Sequence, residues 1–138
     1  PKFVYDRNQI MAILNQESSL MEIVKLIGSD VLPDDQKLTL EIARVIRLGF
    51  LQQNAFHQED TSVPMEKQFL MMETILYLYE KCRALVNRGM PVSVLKEDKI
   101  FERIIAIKYE VPNKELERFD EYHKDIDRFY DNVLERNG

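Results

Sequence analysis

The run Phe50-Leu-Gln-Gln-Asn-Ala-Phe-His57 has the residue types of a ligand wall. Phe50 and Phe56 supply flat apolar faces, and the amides between them both donate and accept hydrogen bonds. Flat faces beside amide groups suit a heterocyclic ligand. The same amides would also serve to close a helix end, because helix termini leave backbone groups that need partners. From these residues alone, both interpretations stay open.

The residue patterns of ordinary catalytic sites are missing from the sequence. A phosphate-binding loop needs closely spaced glycines followed by Lys and Ser or Thr, and the four glycines of this chain are far apart. No serine lies in a nucleophile elbow. We therefore expect no catalytic residue in this chain, and we expect the chain alone to be inactive as an enzyme.

Metal-ligating residues do not converge in the sequence either. The nearest candidates, His57 with Glu59 and Asp60, are close together in a polar segment whose side chains should point in different directions. His123 falls on the apolar side of a predicted helix and is expected to be a hydrogen-bonded packing residue. Cys82 lies in an apolar-periodic stretch and is expected to be a small buried side chain. No metal site is predicted.

Composition limits the classes of partner. With 138 residues and 45% hydrophobic content, the chain should form one domain, residues 1–138, that buries roughly 70% of its unfolded surface. Nineteen basic residues against 24 acidic ones give a net charge of -5, which disfavours nucleic acid. No apolar run approaches the ~20 residues that span a bilayer, so no direct membrane insertion is expected. A single cysteine suits a reducing compartment.

Apolar residues recur at helical spacing along almost the whole chain. A first helix is predicted to carry a stripe from Ile10 to Ile27, with Asp6 or Asn8 as N-cap and Gly28 at its end. A second should start at Asp34 and Asp35, whose charges suit a helix N-terminus, and run to the aromatic and amide run. Its inward stripe comprises Leu38, Ile42, Val45, Ile46 and Gly49 or Phe50.

The second half of the chain predicts further helices. The third begins at Pro64 and stops at Gly89, with an inward face of Phe69, Met72, Leu76, Tyr79 and Leu85 or Val86. Residues 92–95 are expected to be extended, and residues 98–109 to form a fourth helix or a buried strand. The last helix is predicted after an Asn113 cap, with a stripe of Leu116, Phe119, His123, Ile126, Tyr130 and Val133. The predicted fold is all-α, a bundle of about five helices with short connections.

Three motifs in order resemble a known family. The run at residues 50–57, together with Leu32-Pro-Asp-Asp-Gln-Lys-Leu38 and Pro64-Met-Glu-Lys-Gln68, is similar to the C-terminal domain of the catalytic A (alpha) subunit of V/A-type rotary ATPases. The resemblance is closest between about residues 23 and 85. It implies that the chain, which begins at Pro1, is a fragment of a longer subunit whose nucleotide-binding domain precedes it.

The resemblance implies two jobs for such a domain. The first is to complete the adenine side of the nucleotide pocket with Gln53, Asn54, Ala55 and Phe56, where the Phe56 ring would contact the base. ATP or ADP with magnesium would bind in the parent subunit, whereas no cofactor is expected for this chain alone. The second is to couple ATP hydrolysis or synthesis, and proton or sodium translocation, to rotation of a central stalk.

The segment before the second helix is the expected rotor contact. It resembles in position and acidity the loop that touches the central stalk in F-type relatives, although it carries a proline and fewer acids. The expected contact residues are Gly28, Asp30, Val31, Leu32, Pro33, Asp34 and Asp35, with Val31 and Leu32 projecting.

The resemblance also implies further partners, while composition and periodicity leave one alternative function open. The family implies noncatalytic B subunits that alternate with the parent in a hexameric ring, the upstream nucleotide-binding domain, and a location at the cytoplasmic face of the membrane. A stand-alone helical module for protein–protein interaction is the alternative, since composition and periodicity permit it equally.

Overall fold

A computed structural model of the protein describes residues 1–51 and 63–137. Every element in these two ranges is helical, which confirms the all-α prediction. In chain order the elements are α1 (Lys2–Ile27), α2 (Asp34–Ile46), a π-helical turn (Arg47–Leu51), α3 (Met65–Asn87), α4 (Val92–Leu95), α5 (Ile100–Ile105), α6 (Ile107–Glu110), a 3-10 turn (Leu116–Arg118) and α7 (Phe119–Asn137).

Helix α3 lies at the centre of the bundle and contacts α1, α2 and α7. The predicted inward face of α3 is therefore only partly right. Met72 and Leu85 are buried as expected, but Phe69, Leu76 and Tyr79 are half-buried. The remaining buried apolar side chains of α3 are Met71, Ile75, Leu78 and Cys82. A helix with neighbours on several sides buries a broad arc, whereas the prediction assumed a single stripe.

Helix α1 is only loosely covered by the core. Ile10 and Ile13 are buried, but Ile27 at the end of the predicted stripe is 61% exposed. The helix also begins earlier than predicted, at Lys2, so Asp6 and Asn8 lie inside it and do not cap it. It ends as predicted at Gly28, whose φ of 85° favours glycine and whose N–H donates to the Val24 carbonyl at 2.8 Å.

The elements between residues 92 and 110 are all helical, so the prediction of an extended segment at 92–95 was wrong, whereas the prediction of a helix within 98–109 is confirmed. Residues 92–95 form a helical turn because Pro91, with φ of -68°, can precede a helix start without losing a needed N–H. The buried-strand alternative for residues 98–109 also fails, since α5 and α6 are helices separated at Ala106.

The last helix begins later than predicted. Asn113 does not cap it; the Asn113 Oδ1 atom instead accepts a hydrogen bond from Lys67 Nζ at 3.0 Å. A 3-10 turn precedes α7, which buries Phe119, Ile126 and Val133 as predicted and also Tyr122 and Phe129. The helices share a core cluster to which α1, α2, α3, α5 and α7 all contribute.

Candidate functional site

The turn between α1 and α2 is fixed by its own backbone. The Leu32 N–H donates to the Ser29 carbonyl at 3.1 Å, and the Pro33 carbonyl accepts the N–H groups of Gln36 and Lys37, both at 3.0 Å. These bonds close the turn and start α2 directly after Pro33, whose φ of -65° suits a helix entry. The predicted rotor-contact residues therefore lie in a defined turn.

Val31 and Leu32 point in different directions. Val31 is 58% exposed, as predicted for a projecting residue, whereas Leu32 is 6% exposed and belongs to the buried set. The prediction that both side chains project was therefore wrong for Leu32. Its burial anchors the turn to the domain, because withdrawing an apolar side chain from water stabilises the folded state.

Asp34 holds the turn to a distant part of the chain. Its Oδ1 atom accepts the backbone N–H of Val92 at 3.0 Å, at the start of α4. A charge-assisted bond to a helix N-terminus is stronger than a neutral one. Asp35 differs, since its side chain is exposed and its backbone carbonyl accepts the Thr39 hydroxyl at 3.2 Å.

Among the predicted rotor-contact residues after Gly28, the exposed ones are Asp30, Val31, Pro33 and Asp35, which we call the turn surface. Gly28 is also exposed, and its positive φ ends α1 and turns the backbone toward this surface. The last turns of α1 lead into this surface with exposed apolar side chains, namely Ile23, Leu26 and Ile27, of which Leu26 is 84% exposed. Exposed apolar groups that are close together are typical of interaction surfaces.

The residues predicted for the adenine side, Gln53, Asn54, Ala55 and Phe56, lie outside the described ranges. The π-helical turn at Arg47–Leu51 leads directly to them. Such turns are rare and occur often at functional sites. Gly49 lies within this turn, and a Cβ added there would be 3.0 Å from Ile105 Cα. Glycine therefore allows the turn to approach the α5 backbone closely.

Described residues just before and just after residues 52–62 line one cavity of about 220 Å³. Its lining includes Phe50 and Leu51, which precede residues 52–62, and Val63 and Gln68, which follow them. Gln68 Nε2 donates to the Val63 carbonyl at 3.0 Å, which orders the start of α3. Leu51 and Val63, the described residues on either side of 52–62, thus line the same cavity.

Lys67 is a buried polar residue that the sequence analysis missed. Its Nζ atom donates to the carbonyls of Lys108 at 3.0 Å and Val111 at 2.7 Å, as well as to Asn113. A buried ammonium must be paired with acceptors, and the carbonyls at the end of a helix provide them. Lys67 belongs to the Pro64–Gln68 motif, so this motif has a structural role beside the segment.

Other candidate residues have packing roles. His123 Nε2 is 3.3 Å from the Thr74 hydroxyl, and burial lowers the pKa of its imidazole. Cys82 is fully buried, which raises the pKa of its thiol and keeps it in the unreactive form. Both predictions are confirmed. Within residues 1–51 and 63–137, no group of three or more His, Cys, Asp or Glu side chains could hold a metal ion. His57, Glu59 and Asp60 lie outside these ranges.

Comparison with known proteins tests the family resemblance. Residues 1–94 match the family model described as the C-terminal domain of V and A type ATP synthase. The chain belongs to this family. The prediction from the three motifs is confirmed, and the alternative of an unrelated helical interaction module is not favoured.

The relatives of this ATP synthase domain are much longer proteins. A V-type ATP synthase alpha chain 2 of Clostridium tetani is 44% identical over 130 residues. A V-type ATP synthase alpha chain of Halothermothrix orenii is 44% identical over 129 residues, and the A subunit of the A-type ATP synthase of Methanopyrus kandleri is 43% identical over 130. Each match covers 94% of this chain and 22% of the relative. The chain is therefore a C-terminal domain of the A (alpha) subunit type. None of its described helices is long and apolar enough to cross a membrane.

Proposed function

We propose that this domain transmits movement between the nucleotide-binding domain of its parent A subunit and the central stalk of a V/A-type ATP synthase. The supporting observation is the turn surface, where exposed Val31 is carried on a base that buried Leu32 and bonded Asp34 hold in place. A surface that transmits force to a rotor must not deform when the rotor resists. Packed helices serve this purpose, since protein interiors have low compressibility.

The mechanism follows from this rigid mounting. Closure of the nucleotide domain around ATP with magnesium would swing the bundle, and α1 and α2 would move together because they pack against each other. The turn at their junction would then press Val31 and its neighbours against the rotor. Run in reverse, rotation would drive the bundle and open the nucleotide site. The direction of operation and the choice of proton or sodium ion belong to other subunits.

The domain would also complete the adenine side of the nucleotide pocket through Gln53, Asn54, Ala55 and Phe56. Its support is the motif itself and the well-held flanks on either side. One stacked ring contributes about 1 to 3 kcal/mol, whereas even a millimolar site needs about 4 kcal/mol. The isolated chain should therefore neither bind ATP specifically nor hydrolyse it. Calorimetry that showed micromolar affinity for ATP would contradict this part of the proposal.

The assembly context is part of the same proposal. The parent protein would alternate with noncatalytic B subunits in a hexameric ring at the cytoplasmic face of the membrane. The domain would contact its own upstream nucleotide-binding domain and, through the turn surface, the central-stalk rotor.

Photo-crosslinking in the assembled complex tests the rotor contact. Val31→Cys labelled with benzophenone maleimide should crosslink to the central stalk. Val4→Cys is the matched control, because Val4 is 57% exposed, as Val31 is at 58%, and lies at the opposite end of α1. The helix between Val4 and its end at Ile27 is roughly 35 Å long, at 1.5 Å per residue, and the turn that carries Val31 follows it. The proposal fails if Val31→Cys gives no stalk crosslink, or no more than Val4→Cys gives.

A further inference from the structure

A cleft between α1, α3 and α7 carries a buried acidic group that the proposed function does not use. The volume of this cleft is about 350 Å³. The residues that line it on α1 are Lys2, Tyr5, Asp6 and Gln9; α3 contributes Glu73, Leu76, Tyr77, Tyr79, Glu80 and Arg83, and α7 contributes His123.

Asp6 is the unusual member of this cleft. Only 1% of the residue is exposed, and neither carboxyl oxygen has a hydrogen-bond partner among the described residues. A buried carboxylate without hydrogen bonds is unfavourable unless a positive charge compensates it. The nearest cation is Lys2, whose Nζ atom lies 3.6 Å from Asp6 and 3.4 Å from Glu73. One ammonium is thus shared between two carboxylates, and both distances exceed the roughly 2.7 to 2.9 Å of a close charge-assisted hydrogen bond.

The remaining charges leave the cleft acidic. Glu80 adds a third carboxylate, and Arg83 the second cation, with its guanidinium carbon 5.3 Å from the centre of the Tyr79 ring. The His123 imidazole is neutral at pH 7, since burial lowers its pKa. Burial and the neighbouring Glu73 raise the pKa of Asp6 to about 6, so its carboxyl group is mostly ionised at pH 7.5. Three negative charges therefore face two positive ones.

The lining selects the kind of cation. Two neighbouring carboxylates suit a guanidinium group, because its planar fork of N–H donors can bond to more than one carboxylate oxygen at once. An ammonium group is a compact point charge without this geometry. The tyrosine rings add faces on which a guanidinium can stack. The Lys2 side chain is 62% exposed, so it can swing into solvent once another cation takes its place beside Asp6 and Glu73. Tyrosine and arginine are also the residues enriched at protein interfaces.

We propose that this cleft is a docking site for an arginine side chain of a partner polypeptide, held between Asp6 and Glu73. The guanidinium would replace the Lys2 ammonium and supply the hydrogen bonds that Asp6 lacks. The site is separate from the turn surface, which lies at the other end of α1, so either proposal can fail without the other.

The chemistry of the site is tested by NMR titration of the chain with N-acetylarginine amide at pH 7.5. Saturable shifts are expected for the amides of Lys2, Tyr5 and Glu73, with a dissociation constant in the millimolar range, about 1 to 20 mM. N-acetylcitrulline amide, which has the same shape without the charge, should produce none. Asp6→Asn should weaken arginine amide binding at least tenfold, and Glu22→Gln, an exposed control on the same helix, should leave it unchanged. Equal shifts from citrulline amide, undiminished binding by Asp6→Asn, or no saturation overturns the proposal.

The polypeptide source is tested in the assembled parent complex. A photoreactive benzoylphenylalanine at Tyr5, which is 58% exposed on the cleft, should crosslink to a peptide with an arginine within a few residues of the attachment point. Asp6→Asn in the same complex should lower that yield at least fivefold. A crosslinked peptide without arginine, a yield that Asp6→Asn does not lower, or no crosslink at all contradicts the assignment.

Discussion

Asp6 is a single side chain with a measurable effect on stability. Its pKa is raised to about 6, chiefly by burial and then by Glu73, whereas the unfolded chain should show about 3.9. The folded state therefore binds the proton more tightly. The resulting stabilisation is fully present below about pH 4 and is lost as pH rises through 6.

Asp6→Asn should remove this pH dependence. At pH 7.5 the variant should be more stable than the parent chain by roughly 1 to 3 kcal/mol, because an uncharged amide replaces a buried carboxylate. At pH 4 the two should differ little. Urea denaturation followed by circular dichroism between pH 4 and 8 measures this, with Glu22→Gln as the exposed control. Parallel stability curves for parent and Asp6→Asn would show that the carboxyl group titrates normally.

Phe56 is the residue on which the proposed adenine contact depends. In the complete parent enzyme, Phe56→Ala should raise the KM for ATP about fivefold to hundredfold, the equivalent of 1 to 3 kcal/mol of lost stacking. Phe56→Tyr keeps the ring and should restore most of the affinity. Steady-state ATPase kinetics measures both. An unchanged KM in Phe56→Ala would exclude the ring from the nucleotide pocket.

Several residue roles could not be predicted from the sequence. Asp34 and Lys67 both bond to backbone atoms that are far away in the chain, at Val92 and at Lys108 and Val111. Apolar periodicity shows which face of a helix is buried, but it carries no information on which polar group meets which carbonyl. Leu32 was misjudged for a related reason, since a turn can send adjacent side chains to opposite sides.

The π-helical turn is the element that precedes the proposed adenine-side residues in the chain. Gly49 allows it to lie against α5, where an added Cβ would be 3.0 Å from Ile105 Cα. A Gly-to-Ala change inside an ordinary helix stabilises it by about 1 kcal/mol. Gly49→Ala should have the opposite sign and destabilise the domain by about 1 to 3 kcal/mol, because the contact is with backbone that cannot rotate away.

Urea denaturation of Gly49→Ala decides this point. The effect should be accompanied by amide shifts at Ile105 in the NMR spectrum. The control Asn15→Ala, on the exposed face of α1, should leave Ile105 unshifted and should not destabilise the domain, because alanine is the better helix former. A stabilised Gly49→Ala variant would mean that the turn and α5 are not in close contact.

Helix types and ends were predictable where local chemistry decides them. Gly28 and Gly89 end their helices with positive φ, as expected of glycine after a helix. The start of α1 was misplaced because its first turns are held by tertiary contacts such as the Phe3–Phe69 ring pair, at 6.4 Å. The π-helical turn also has no simple signature in the sequence, since it depends on the approach of α5.

At the scale of the whole molecule, the described ranges form a helical bundle in which the turn between α1 and α2 exposes Val31. Helices α1, α2 and α3 all pack on each other, and the turn surface lies at the end of the long α1. Helical periodicity and the family resemblance predicted the all-α bundle, whereas the role of the turn stays a prediction. The sequence did not predict the acidic cleft around Asp6, because the residues that form it come from three helices.

The central claim is that the turn surface carries force to the rotor, and the ratio of ions pumped to ATP hydrolysed in the reconstituted parent complex tests it most directly. Val31→Ser should lower that ratio at least twofold while leaving nucleotide affinity unchanged, because it removes the exposed apolar contact without disturbing Leu32 or Asp34. Val4→Ser, equally exposed at the other end of α1, should pump as the parent does. A Val31→Ser complex that pumps with the full ratio would contradict the account.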